Sequence, residues 1–153
     1  MTLIVVYHDV ANARKLEEFA KTVFAFNVDI LVLSRPMTDA KTRGVKEVQH
    51  LAWTEGRTVM AVDDLFEAVN LFGPDKAYLI EHTKESTEID TEAIGGELKG
   101  EGEVMLVFSG VNPPGLKGQV ETGVSVHLPE IKGLSEIGLA AIILYEVRRH
   151  QTI

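Results

Sequence analysis

Three of the five histidines, His8, His82 and His127, fall at or beside the carboxyl ends of short apolar runs. Neutral imidazole is the commonest protein ligand for metals, so three such positions invite a metal reading. Their spacing argues against it. No two of the three lie at i, i+4, they form no ligand cluster, and a chain without cysteine offers no thiolate. No metal is therefore expected, and disulfides and thiol catalysis are excluded outright. Asp63 and Asp64 stand together after another apolar run, where a helix cap explains them first. What remains is ligand chemistry at strand ends. In open α/β sheets ligands gather outside the carboxyl ends of the strands. Those ends here are His8-Asp9, Ser34-Arg35, Asp63-Asp64, His82, Ser109-Gly110 and Leu128-Pro129.

The elements that would position these residues follow from periodicity. Residues 3–8, 29–34, 58–62, 76–82, 104–109 and 123–128 read as strands, being short, apolar and often β-branched. Asn12 offers an N-cap to a helix with Leu16, Phe19, Ala20, Val23 and Phe24 at helical spacing. Thr38 or Asp39 is placed to cap a second helix running to about Thr54. Asp63 is placed to cap a third, with Leu65, Phe66, Val69 and Phe72, which Gly73-Pro74 would stop. A short helix is expected over 91–98 and a final one over about 133–149.

This alternation predicts an α/β domain, a mostly parallel sheet with helices on both faces. It breaks once. Residues 110–123, with prolines at 113 and 114 and glycines at 110, 115, 118 and 123, join the fifth and sixth expected strands by a loop and not by a helix. Parallel neighbours need a crossover of a dozen or more residues, and this loop is just long enough.

With 153 residues the expectation is a single domain over 1–153 that buries enough surface to fold without a staple. Hydrophobic residues make up 45% and charged residues 25%, an ordinary globular balance. The net charge of −8 argues against non-specific nucleic-acid binding. The charge is uneven, however. Residues 1–60 are close to balance and the acidic excess lies in 61–153, so a polyanion would prefer the N-terminal half. The apolar stretch 3–6 is followed at once by Asp9 and reads as a strand, not a signal peptide. The longest apolar run, 137–145, falls far short of the roughly 20 residues of a membrane span. No membrane partner is expected, and a chain without cysteine fits the cytoplasm.

Two C-terminal segments carry a family resemblance. LVFSGVNPPGL, residues 106–116, is an apolar strand, a Gly-containing turn and then Gly-Leu. VSVHLPEIKGLSEIGLAAIILYE, residues 124–146, is a strand running into a Pro, a short loop and a helix rich in Ala, Ile and Leu that ends near Tyr-Glu. Together they resemble the C-terminal motifs of the SPOUT (SpoU/TrmD-type) RNA methyltransferases. At the other end, DVANARKLEEFAKTVFAFNVDILVL, residues 9–33, is similar in spacing to that family's first motif, with Ala25-Phe26-Asn27-Val28 in the place of Ala-Phe-Gly-Val.

The resemblance implies a SPOUT-like fold with a C-terminal trefoil knot over about 104–149, an exception to the usual rules of chain connection. It implies S-adenosylmethionine bent into that knot and held mostly by backbone groups, with Phe108, Ser109, Gly110, Leu128, Leu134 and Ser135 at the cofactor-contacting places. It implies an RNA substrate, tRNA or rRNA, and a homodimer formed through the C-terminal helix. Its catalytic positions fall on Asn12, Lys21 and Glu136.

Each of those positions also has a plainer explanation. Asn12 is explained by N-capping. Lys21 stands where the family has Arg. It lacks the planar guanidinium fork, yet could bind phosphate, or act as a base if its pKa were lowered. A solvated helix lysine explains it equally. Glu136 could orient a ribose hydroxyl or accept its proton, or serve as favourable charge at a helix N-terminus. Lys15 occupies the place of a second family Asn, and the Glu of the Gly-turn is missing, since Val111 and Asn112 follow Gly110. These departures keep open a non-catalytic protein of the same fold, and a plain doubly wound α/β protein with another small ligand.

Overall fold

The computed structural model describes residues 2–111, 114–131 and 133–152. Asn112 and Pro113 of the first C-terminal motif, and Lys132 of the second, lie outside the described residues. Seven strands form one sheet: β1 (Thr2–His8), β2 (Ile30–Ser34), β3 (Val59–Val62), β4 (Lys76–Ile80), β5 (Thr87–Glu88), β6 (Glu103–Ser109) and β7 (Val124–His127). Their order is β3-β2-β1-β6-β4-β7-β5, and every pairing is parallel. The interior strand β1 is apolar on both faces, as a parallel strand covered on both sides must be. Leu3, Ile4, Val5, Val6 and Tyr7 are all fully buried.

Five α-helices cover the sheet: α1 (Ala13–Ala25), α2 (Val45–Glu55), α3 (Leu65–Phe72), α4 (Thr91–Glu97) and α5 (Glu136–Thr152). They divide unevenly between the faces. Leu3, Val5, Tyr7, Leu106 and Phe108 pack under α1, α2, α4 and α5. Ile4, Val6, Val32, Met105 and Val107 meet only α3 and the loop residues Leu116 and Val120. The larger core is keyed by Phe19, whose ring lies 4.0 Å from that of Tyr7 and 5.5 Å from that of Phe108. Truncating such a ring to Ala costs about 3–5 kcal/mol.

The predicted α/β architecture with a parallel sheet is present, and several details differ from expectation. The cap of α3 is Asp64, not Asp63. Asp64 Oδ1 accepts from Glu67 N at 2.7 Å, and Glu67 Oε2 accepts from the N–H of the preceding residue, Asp63, at 3.1 Å. Neither Thr38 nor Asp39 caps its own helix. Thr38 Oγ1 donates to Ala11 O and Asp39 Oδ1 accepts from Ala13 N at 3.2 Å, so both tie the loop after β2 to the start of α1. A π-helical turn, Ala40–Gly44, leads into α2. The two-residue strand β5 carries no apolar pattern and was not expected from the sequence. Strands β6 and β7 are not neighbours: β4 lies between them and is parallel to both, so the chain after β6 must cross β4 to reach the amino end of β7.

Helix α5 buries Ala140, Ile143, Leu144 and Val147 against the sheet and leaves Ile142 and Tyr145 at 37% and 57% exposure. No helix among the described residues is long and apolar enough to cross a membrane.

Candidate functional site

A cavity of about 530 Å³ opens where β4, β6 and β7 end and α5 begins. Its size falls in the ordinary range for small-molecule sites. Of the six residues expected to hold a cofactor, Phe108, Ser109, Leu128 and Leu134 line it. Ile80, Leu139 and Ile131 extend the apolar wall, and Glu81, His82, His127 and Glu136 supply polar groups. Among the described lining residues the charged side chains are the carboxylates Glu81 and Glu136.

Gly110 and Ser135 do not line it. A Cβ on Gly110 would come 2.8 Å from Val10 Cα and 2.9 Å from Asp9 O. The missing side chain at Gly110 thus lets the loop after β6 press on the loop after β1, where its N–H donates to His8 O at 2.7 Å. Ser135 starts α5, accepting from Gly138 N at 3.3 Å through Oγ and from Leu139 N at 2.9 Å through its carbonyl.

The three residues expected to be catalytic are not brought together. Asn12 Oδ1 accepts from Lys15 N at 2.9 Å, the N-cap geometry of α1. Lys21 sits on the exposed side of α1, in a surface groove shared with Glu17, Glu47 and His50. At 1.5 Å per residue that is roughly 12 Å along the helix from its start at the strand ends. Only Glu136 joins the cavity. It opens α5, where the helix dipole favours a carboxylate. Its Oε1 accepts from the hydroxyl of Tyr7 at 2.7 Å. The Tyr7 hydroxyl is pushed well above its ordinary pKa, first by burial and then by its hydrogen bond to Glu136, so it stays a donor and fixes the carboxylate.

Sequence reasoning missed Glu81. It is 4% exposed at the end of β4, yet fully engaged. Oε1 accepts from Leu116 N at 2.9 Å, and Oε2 accepts from Lys117 N at 3.0 Å and from Ser125 Oγ at 2.7 Å. One carboxylate therefore pins the crossing loop to the sheet. Lys117 adds hydrogen bonds from Nζ to the carbonyls of Glu121 and Gly123. The available signal was an acid immediately after an apolar strand.

The histidines fall into two places. His82 and His127 lie face to tilted face at 4.2 Å on the cavity wall, with His127 Nδ1 2.8 Å from Ser86 Oγ. His8 is apart from them, fully buried, its Nδ1 2.8 Å from Ser34 Oγ. Burial pulls the His8 pKa down, outweighing the upward pull of Asp9, so the ring is neutral near pH 7. Among the described residues no group of three or more His, Asp or Glu could hold a metal ion.

Beside this cavity, the ends of β1 and β2 form a second polar cluster. His8 and Ser34 are register partners, and the next residues, Asp9 and Arg35, both take left-handed backbone with φ of 60° and 47°. Such φ values in non-Gly residues each cost on the order of 1–3 kcal/mol. Arg35 donates from Nε to Asp9 Oδ1 at 2.6 Å and from Nη2 to Asp9 Oδ2 at 2.7 Å.

The site fits S-adenosylmethionine by its donor set. An apolar slot suits the adenine ring, and a carboxylate at the helix start suits ribose hydroxyls or an amine.

Comparison with known proteins gives two kinds of likeness. The model of a family described as RecB-family nuclease (DUF2122) matches residues 38–146. A candidate type II restriction enzyme of Aeropyrum pernix is 28% identical over 148 residues, covering 96% of this chain and 93% of that protein. One from Methanocaldococcus jannaschii is 24% identical over 147 residues, covering 96% and 97%. Solved structures of similar fold include methyltransferases. A candidate methylase-family protein from Haemophilus influenzae Rd KW20 superposes with TM-score 0.75 at 13% identity, over 97% of this chain and 64% of that one. A candidate RNA methyltransferase from Bacillus anthracis gives 0.72 at 21% identity, over 98% and 94%. The SpoU methyltransferase AviRb from Streptomyces viridochromogenes gives 0.74 at 11% identity, over 99% and 60%. The chain thus spans less than two thirds of the Haemophilus and Streptomyces proteins and almost all of the Bacillus one. At these identities the likeness establishes the fold, and that fold is the SpoU one.

Proposed function

The chain belongs to the family described as RecB-family nuclease (DUF2122), and we propose that it works as an S-adenosylmethionine-dependent RNA methyltransferase of the SPOUT class. The observation that carries this reading is the cavity at the ends of β4, β6 and β7, built from Phe108, Ser109, Leu128 and Leu134 with Glu136 at its edge. A nuclease that cleaves with metal ions holds them on clustered carboxylates. Among the described residues no group of three or more His, Asp or Glu could hold a metal ion.

When bound, S-adenosylmethionine supplies an electrophilic methyl group whose transfer leaves a neutral thioether and needs no metal. The protein's work is to align, dehydrate and take a proton. Phe108, Leu128 and Leu134 exclude water from the slot. Ser109, with Gly110 and Ser135 close behind the cavity wall, offers polar and backbone groups. Glu136, steadied by Tyr7, orients a ribose hydroxyl or accepts the proton of the attacking nucleophile. Glu81 holds the crossing loop over the slot. The C-terminal trefoil knot belongs to this proposal, and so does the homodimer. Leu134, Ile142 and Tyr145 are exposed along one side of α5 and its approach, and a second copy would cover them. RNA, as tRNA or rRNA, is the proposed substrate, and the cytoplasm the compartment.

One observation favours a second reading, a cofactor-binding protein without turnover. Asn12 is occupied as a cap and Lys21 stands away from the cavity. Calorimetric titration with S-adenosylmethionine and S-adenosylhomocysteine tests what the two readings share. Saturable binding of about one per chain supports both. No binding of either at sub-millimolar concentration removes both.

A further inference from the structure

We propose that Arg35, held on Asp9 at the ends of β1 and β2, is the phosphodiester-binding group of the RNA acceptor subsite. The inference rests on the methyltransferase reading for its placement. The cavity occupies the ends of β4, β6 and β7. On the β6 side of the cavity, an acceptor approaching Ser109 passes over the ends of β1 and then β2, the next strands in the sheet. Strands are spaced about 4.8 Å apart, so the end of β2 lies roughly 10 Å from that of β6, about the reach of one nucleotide. Gly110 closes that distance by packing directly on Asp9 and Val10.

Arg35 suits this role through its donors. A guanidinium has five N–H groups, and Asp9 takes two of them side-on, through Nε and Nη2. The end-on pair, Nη1 and the second N–H of Nη2, has no hydrogen-bond partner among the described residues and matches two phosphate oxygens. The side chain of Arg35 is 52% exposed while that of Asp9 is 7% exposed, so the acid anchors the base and the base faces outward. The remaining arginines are elsewhere or engaged: Arg14 with Glu18, Arg43 with Asp39 and Glu47, Arg57 with Asn27, Arg148 with Phe26 and Asn27, and Arg149 with Glu146. Two further observations set the site apart from an ordinary surface ion pair. Asp9 and Arg35 both sit in left-handed backbone at matched strand ends. Beneath them His8 is fully buried, with Nε2 3.2 Å from Asp9 Oδ2 but outside hydrogen-bond geometry. The lesser acidity of the N-terminal half agrees with a polyanion on this side.

The test is the affinity of fluorescein-labelled unfractionated tRNA for the full chain across 50–300 mM KCl, with S-adenosylhomocysteine affinity measured in parallel. Arg35→Ala should weaken tRNA binding about tenfold and flatten the log–log salt slope by about 0.7–0.9, the share of one phosphate contact. Cofactor-product affinity should stay within twofold. Asp9→Asn, which tolerates the left-handed backbone, should tighten tRNA binding by freeing the Arg35 charge. A purely structural clamp would weaken binding in both variants. An unchanged salt slope in Arg35→Ala, a loss in Asp9→Asn, or no tRNA binding by the wild type overturns the proposal. If the tRNA effects appear but S-adenosylhomocysteine does not bind the wild type, the methyltransferase reading fails and the phosphate site stands.

Discussion

Replacing Glu81 tests whether one carboxylate holds the crossing loop. Three donors converge on it: two backbone N–H groups at 2.9 and 3.0 Å and the Ser125 hydroxyl at 2.7 Å. In Glu81→Gln the amide NH2 must point at Leu116 N–H or Lys117 N–H, whichever rotamer it takes. One buried donor then faces another, which costs about 2 kcal/mol. The Ser125 hydroxyl escapes by turning its proton. In Glu81→Ala all three donors lose their acceptor. Hydrogen bonds to charged groups are worth roughly 1.5–3 kcal/mol each, but water entering the space recovers part, leaving about 4 kcal/mol. Urea unfolding reads both values, and for a chain this size each kcal/mol lowers Tm by about 2–4 °C. Because Pro114 of the same loop lines the cavity, the Gln variant should also lose S-adenosylhomocysteine affinity about tenfold while still folded. A loss below about 0.5 kcal/mol in Glu81→Gln, with unchanged affinity, would refute the clamp.

Gly110→Ala places a methyl 2.8 Å from Val10 Cα. It should cost about 2 kcal/mol in urea unfolding, as overpacking against backbone does. His8 is held neutral in the fold and titrates near its ordinary value when unfolded, so the unfolded chain binds more protons as pH falls below about 6.5. Stability should therefore drop between pH 7.5 and 5.5 by urea unfolding, and His8→Asn should flatten that dependence. Ile142→Glu with Tyr145→Glu puts charge on the exposed side of α5. Sedimentation should show a dimeric wild type and a monomeric variant.

The architecture was legible because β1, β2 and β6 are apolar and β-branched over five to seven residues and the intervening helices show clean 3.6-residue spacing. Sheet order was not, because it depends on which strand accepts the crossing loop, a non-local choice decided by Glu81 and Ser125. Strand β5 is two polar residues held by pairing with β7 alone. Asp39 was misplaced as a cap because a side-chain acceptor near a helix start is local in sequence, whereas its actual donor, Ala13 N, is 26 residues away. Phe108, Ser109, Leu128 and Leu134, which line the cavity, were singled out only through the resemblance of the C-terminal segments to the SPOUT motifs. The Asp9–Arg35 pair was visible only as two strand ends. Its bidentate contact depends on register pairing of β1 with β2, which no local pattern encodes.

The most direct test of the account is transfer of tritiated methyl from S-adenosylmethionine to total RNA by the purified chain, with EDTA present, beside Glu136→Gln. The account predicts ribonuclease-sensitive label with the wild type and a loss of about 100-fold or more with Glu136→Gln, the usual scale for a general base. Magnesium-dependent cleavage of nucleic acid, with no methyl incorporated into RNA, would contradict it.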